Sequence, residues 1–215
     1  GDFIIRRADG SAPFMYSNAI DDSLMGVTHA FRGEDHLTNT PRQAMILKAL
    51  DLPEVQYGHM SLIVGPDGSP LSKRHGSKSL QELRESGFLP GALLNYLTRL
   101  GHTLESQAFL NVDELGKQFN AKTFTKDAAR FDEKQLLHWQ KEAMLVLSFE
   151  ELWPTLSDVV HKMVPESLRE LFVETIQPNI VFAHEATFWA KVCFEDDFAY
   201  SHDQIAILKT ASVEF

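Results

Sequence analysis

Among 215 residues there is one cysteine, Cys193. A lone thiol excludes an intrachain disulfide framework and suits a reducing compartment, so a cytoplasmic location is expected. The chain contains no run of about 18 apolar residues, the length a membrane-crossing helix needs, and no membrane partner is expected. Its opening, GDFIIRRADG, shows neither a secretory apolar core nor an Arg-rich, acid-poor transit pattern. Nine histidines are scattered without HxxH, HExxH or CxxC spacing, and no protein-bound metal is expected. There is no starting Met and no tail beyond ASVEF, which leads us to expect a piece of a longer protein. Positive charge is also scarce: the net charge of −10 argues against indiscriminate nucleic-acid binding. Residues 1–110 carry ten Lys/Arg against twelve Asp/Glu, and residues 111–215 carry ten against eighteen, so the acidity lies in the second half.

What is present is enough for a core, with 44% hydrophobic residues arranged in one large or two small domains. In the first half, short β-branched or aromatic runs alternate with helical patterns. DFII, VTHAF and SLIV are the strand candidates. In TNTPRQAMILKALDL, Thr40 can cap a helix, Pro41 fits its first position, and Ala44, Ile46, Leu47 and Leu50 supply an apolar side. This is a strand, a polar loop and a helix. The loop, Arg32 to Asn39, falls at the carboxyl end of the strand, where open α/β sheets bind ligands.

The stretch GPDGSPLSKRHGSKSL predicts a tight turn followed by Lys73, Arg74, His75 and Lys78. Ser79 and Glu82 then have capping-box spacing, Gly87 ends a short helix, and Pro90 opens LPGALLNYLTRLG, closed by Gly101. Beyond this point strand signals vanish. Asn111 and Glu114 repeat the cap spacing, and Phe149, Leu152, Leu156, Val159, Val160 and Met163 fall on one helical face. ESLRELFVETI and HEATFWAKVCF read as further helices. The expected fold is α/β followed by all-α, with the helical unit beginning near residues 105 to 140 and no internal repeat.

Several of these residues could carry chemistry. Ser72, Lys73 and Arg74 offer a hydroxyl, an ammonium and a guanidinium to a polyphosphate; a solvated basic turn is the alternative, since no Walker-type GxxxxGK[ST] is present. Arg32, at a strand end, can hold a carboxylate bidentately. Glu34, Asp35 and His36 could bond ribose or amine groups, or form salt bridges with Arg32 instead. Asn18 is a polar group in an apolar stretch, with a turn or cap role as the alternative. Asp21 and Asp22 are read as capping or turn residues without catalysis. His59 and His102 have no constellation around them, and Cys193 reads as buried packing.

Taken together, MGVTHAFRGEDHLTNTPRQ, then PLSKRHGS about forty residues on, then GFLPGALLNYLTRLGH resemble the bacterial-type glutamyl-tRNA synthetases, a class I aminoacyl-tRNA synthetase family, in order and in spacing. The resemblance covers residues 1 to 140 with specific motifs and the later helices more loosely. It implies the C-terminal part of a Rossmann-type catalytic domain over residues 1–105, a stem-contact region over 106–140 and an incomplete helical anticodon-binding-type domain over 141–215. The activity it implies is ATP-dependent ligation of L-glutamate to tRNA through a glutamyl-adenylate, with magnesium arriving on ATP.

In that picture Pro70, Leu71, Ser72, Lys73 and Arg74 match the KMSKS loop, with Lys73 the catalytic lysine that meets the phosphates. Leu62 and Ile63 fall where the backbone cradles adenine, and Asp35 and His36 fall near the ATP ribose. Arg32 falls on the grip for the substrate carboxylate, Asn18 on a contact to the amino acid, and Phe14 where many members have tyrosine. Pro70 replaces a usual lysine. The HIGH motif of the family is not in this sequence, and the chain alone is expected to be inactive. The partners implied are a glutamate-accepting tRNA, ATP and L-glutamate, acting on a monomer; Lys122, Lys126, Arg130 and Lys134 are the local basic groups for tRNA. A paralogue charging another tRNA or a modified base, and a non-catalytic RNA- or protein-binding module, are the alternatives.

Overall fold

The computed structural model describes residues 2–65, 67–69, 71, 79–125 and 127–195. In chain order they form α1 (Phe14–Leu24), β1 (His29–Gly33), α2 (Thr40–Ala49), β2 (Gln56–Met60), β3 (Ile63–Val64), α3 (Leu80–Glu85), α4 (Pro90–Gly101) and α5 (Val112–Gln118). After these come β4 (Ala129–Arg130), α6 (Glu133–Leu145), α7 (Phe149–Leu152), α8 (Asp158–Met163), α9 (Arg169–Ile176) and α10 (Ala186–Phe194). Contacts divide the chain into two compact units. The first joins Gly1–Ser77 with Tyr96–Asp132, and the second joins Lys78–Asn95 with Glu133–Phe215.

The first unit is built on β1, α2 and β2. Parallel strands cannot be joined by a tight turn, so the helix between them serves as the crossover. β1 and β2 are parallel, with Phe31 opposite Gly58 and Arg32 opposite His59. α1 and α2 cover this pair through Ala19, Ile46 and Leu47, which form a core with Val55 just before β2, and Phe3, Tyr16, Ile20, Ala30 and Tyr57 pack against it. The Ser23 hydroxyl donates to the Pro53 carbonyl at 2.8 Å and ties the end of α1 to the segment before β2. A second small parallel ladder pairs Ile63 with Ala129 and Val64 with Arg130.

Gly58 is required by packing. A Cβ there would stand 2.5 Å from Cδ1 of Phe31 on the neighbouring strand, a distance that side chains do not adopt. Gly68, at φ +79°, makes the expected turn, in which Gly68 N–H donates to Gly65 O at 3.0 Å and Gly65 N–H to Ser69 O at 2.8 Å.

In the second unit, α6 buries Leu136, Trp139, Gln140, Ala143 and Met144, the spacing of one helical stripe. Met144 belongs to a core with Leu152, Leu156, Val160, Phe172, Val173, Ile176 and Ile180. Fully buried Gln140 links three backbone groups. Its Oε1 accepts from Leu89 N–H at 2.9 Å, and its Nε2 donates to Val181 O at 3.0 Å and Gly87 O at 3.4 Å.

The α/β part followed by helices matches expectation, and so do the capping boxes at Ser79/Glu82 and Asn111/Glu114. Four local readings are corrected. DFII is not a strand; Phe3 instead packs on the α1–α2 core. Thr40 is the first residue of α2 rather than its cap, and its hydroxyl meets His59 Nε2 at 2.9 Å, while Ala44 and Leu50 are exposed. The face from Phe149 to Met163 is broken into α7, a turn at Trp153–Thr155 and α8, because Pro154 and the Ser157 cap interrupt the helix, and Val159 is exposed. Cys193 is exposed: it lies in the last turn of α10, beyond the buried Ala186 and Ala190.

Candidate functional site

The carboxyl end of β1 carries Arg32. Its side chain is only 12% exposed and has three neighbours that fix it. Nη1 donates to Oε1 of Gln43, and Nη2 stands 3.9 Å from Oδ2 of Asp22. The guanidinium carbon lies 4.5 Å from the centroid of the Tyr57 ring, a cation–π contact. Gln43 also donates through Nε2 to Oδ1 of Asn18 at 3.0 Å, and Asn18 Nδ2 donates to Oδ1 of Asp22 at 3.4 Å. Arg32, Gln43, Asn18 and Asp22 therefore close a ring contributed by β1, α2 and α1.

A cation so held is directed rather than mobile, and it suits a carboxylate ligand. Burial raises the pKa of Tyr57, with Asp22 adding to the rise and Arg32 opposing it. The Tyr57 hydroxyl is buried without a hydrogen-bond partner in the structure.

Residues Glu34–His36 form one turn of 3₁₀ helix directly after β1. Glu34 Oε1 accepts from the backbone N–H of Leu62 at 3.4 Å, which brings the segment after β2 against this turn. His36 Nε2 lies 3.7 Å from Asp35 Oδ2, and the His36 ring lies 5.7 Å from that of Phe14. Phe14, the first residue of α1, is 52% exposed. Leu71 N–H donates to Ile63 O of β3 at 3.1 Å.

Of the expected site residues, Asn18 and Arg32 share one network, while Phe14, Asp35, His36 and Leu62 gather around the turn after β1. Ile63 also lines a mostly apolar cavity of about 290 Å³ with Met60, Leu97, His102, Phe119 and Phe124. His102, read as isolated, is a buried packing node: its Nε2 accepts from Asn120 N–H at 3.1 Å between the rings of Phe119 and Phe124. Pro70, Ser72, Lys73 and Arg74 lie outside the described residues, as does Lys126. Among the described residues no group of three or more His, Cys, Asp or Glu is placed to hold a metal ion, and no helix is long and apolar enough to cross a membrane.

Sequence reasoning missed Gln43, Asp22 and Tyr57. Two signals were available. Asp22 follows Asn18 by four residues and so shares its helix face, and Gln43 is a polar residue on the stripe that buries Ile46 and Leu47.

Comparison with known proteins bears on the family and the fold. Residues 1–138 match the family profile of the class I tRNA synthetases (E and Q), catalytic domain. The chain is similar to glutamate-tRNA ligase 2 of Nitrosococcus oceani, at 51% identity over 215 residues that cover 100% of this chain and 46% of that protein. It is also similar to glutamate-tRNA ligase 1 of Coxiella burnetii, at 50% identity over 97% of this chain and 45% of the relative. The chain thus spans about half the length of the curated relatives it matches. Among solved structures, the glutamate-tRNA synthetase of Elizabethkingia anophelis superposes with a TM-score of 0.82 at 23% identity, covering 98% of this chain and 46% of that one. A glutamate tRNA ligase of Elizabethkingia meningosepticum, solved in complex with its amino acid, gives 0.84 at 23% identity, covering 99% and 46%. The likeness of structure establishes the shared fold, and with the family match over residues 1–138 the chain belongs to the class I tRNA synthetases of the E and Q type.

Proposed function

We propose that the full-length protein containing this chain ligates L-glutamate to tRNA through a glutamyl-adenylate, and that this chain supplies the grip on glutamate and one side of the ATP site. The observation that carries the reading is the directed Arg32 cation, held by Gln43 and Asp22 at the carboxyl end of a parallel strand. A fixed guanidinium rewards a carboxylate over a neutral amide, because the amide leaves its charge uncompensated.

In this reading Arg32 and Asn18 bind the amino acid, with Phe14 at the mouth of the pocket. Asp35 and His36 serve the ribose side, and the backbone at Leu62 and Ile63 serves adenine. Lys73, within Pro70 to Arg74, neutralises charge as the carboxylate of glutamate attacks the α-phosphate of ATP and pyrophosphate leaves. Magnesium enters with ATP as part of the substrate. Little covalent work by the protein is needed, so positioning and charge supply the acceleration. Residues 1–105 form the catalytic part, 106–140 the stem-contact part and 141–215 the anticodon-binding-type part. Lys122 and Arg130, both exposed in the first unit, suit phosphate contacts. The protein acts as a cytoplasmic monomer.

One observation favours a second reading. Phe14 brings no hydroxyl to the amino-acid pocket, which leaves room for a paralogue that charges another tRNA or a modified base. Glutamate-dependent exchange of pyrophosphate into ATP by the full-length protein, measured with and without tRNA, tests the first reading. Absence of exchange under both conditions would instead favour a binding module.

A further inference from the structure

We infer that Gln43 is a positioning residue that sets the selectivity of Arg32 for a carboxylate, and that it does so by anchoring that cation without neutralising it and relaying the hydrogen-bond polarity of the ring to Asn18. The inference rests on the proposed activation of glutamate and deepens it.

Arginine can only donate hydrogen bonds and an ionised carboxylate can only accept them. The ring has one of each: Arg32 at one point and Asp22 at another. Between them stand two amides, Gln43 and Asn18, each of which could in principle face either way. Because Arg32 donates to Gln43, the group of Gln43 that meets it must be the carbonyl oxygen. The amide nitrogen of Gln43 then faces Asn18 and requires the Asn18 oxygen, at 3.0 Å. That leaves the Asn18 nitrogen toward Asp22, at 3.4 Å. Every link thus follows from its neighbour: Arg32 and Asp22 set the direction at the two ends, and the buried glutamine carries it from the cation to Asn18.

The consequence concerns charge. Gln43 is fully buried and satisfies Arg32 without neutralising it. Asp22, at 3.9 Å, is the only carboxylate that the structure pairs with this guanidinium among the described residues. The cation is therefore anchored at one nitrogen by a neutral group and retains charge for a ligand. A carboxylate at position 43 would anchor it equally well but would supply a second negative charge. It would also lose the donor that orients Asn18.

The test uses the full-length protein and pyrophosphate exchange, with tRNA present, to compare Gln43→Glu and Gln43→Met with the unaltered protein. For Gln43→Glu, KM for glutamate should rise roughly 10- to 100-fold and the preference for glutamate over glutamine should fall about 10-fold. KM for ATP should stay within about twofold, since the proposed reading gives Arg32 and Asn18 to the amino acid and no member of the ring to ATP. Gln43→Met, which keeps the volume and removes both hydrogen bonds, should raise KM for glutamate about 10-fold with a smaller loss of preference. It stands as the second variant should the first fail to fold.

Equal rises in both KM values, or an unchanged glutamate preference in Gln43→Glu, would reduce Gln43 to a packing residue and overturn the inference. If the unaltered protein shows no glutamate-dependent exchange, the functional reading fails first and the inference falls with it. Exchange by the unaltered protein with KM unchanged in both variants sinks the inference alone.

Discussion

The guanidinium carbon of Arg32 sits 4.5 Å from the centroid of the Tyr57 ring, so the cation rests on an aromatic face contributed by the neighbouring strand β2. Such a contact is worth about 0.5–2 kcal/mol. Tyr57→Phe keeps the ring and deletes a buried hydroxyl that has no partner. It should leave glutamate affinity within about twofold and stability unchanged or raised by up to ~1 kcal/mol. Tyr57→Leu should raise KM for glutamate about 2- to 20-fold. Equal behaviour of the two variants in exchange kinetics would show that the ring does not support the cation.

Arg32→Gln removes the charge and orphans the acceptors on Gln43 and Asp22. Use of glutamate, read as kcat/KM, should fall by roughly 10², while glutamine falls less, so the ratio between the two narrows. A loss equal for both, accompanied by a lower melting temperature, would point to damaged folding.

Lys73→Ala should slow adenylate formation by roughly 10² if the ammonium meets charge developing on the phosphates. Single-turnover measurement with saturating ATP and glutamate reads this step directly. An unchanged rate would remove Lys73 from the mechanism.

Gln140 offers a prediction about pH. Its amide donates to Val181 O and Gly87 O in a buried site. In Gln140→Glu an ionised carboxylate would face two carbonyl oxygens, so its folded-state pKa should lie above the unfolded value of about 4.3. A raised folded pKa means the protonated form is favoured by folding. The variant's stability is therefore greatest below the unfolded pKa and is lost as pH rises through the folded one. Denaturant unfolding should show a deficit that grows from pH 4 to pH 7, reaching about 2–4 kcal/mol. A deficit independent of pH would contradict this account.

How legible the molecule was from its sequence depended on how local each feature was. The Ser79/Glu82 and Asn111/Glu114 boxes depend on residues three apart, and both form as expected. Helix α4 likewise begins at its proline. β2 escaped notice because Gln56, Tyr57, Gly58, His59 and Met60 include no β-branched residue; pairing with β1 makes it a strand. DFII looked like a strand by composition, but Phe3 satisfies itself by packing alone. In the site, Arg32 could be picked out because it ends a strand before a polar loop. For its partners, helical spacing marks Asp22 as sharing the face of Asn18 and Gln43 as lying on a buried stripe, but that they meet Arg32 depends on α1 and α2 lying over β1, a juxtaposition that no short pattern encodes. Cys193 was misjudged because an apolar stripe predicts burial only as far as the neighbouring elements extend.

The meeting of Phe31 and Gly58 carries a consequence for how this region can change. The Phe31 ring fills the volume where a side chain at Gly58 would begin. The two positions, opposite one another in the β1–β2 register, thus share a single space and tolerate one occupant. Gly58→Ala alone should cost about 1–3 kcal/mol, whereas Gly58→Ala with Phe31→Ala should cost less than the sum of the two single changes. An inherited change at either site then alters which residues are permitted at the other, so drift along these strands should proceed in pairs.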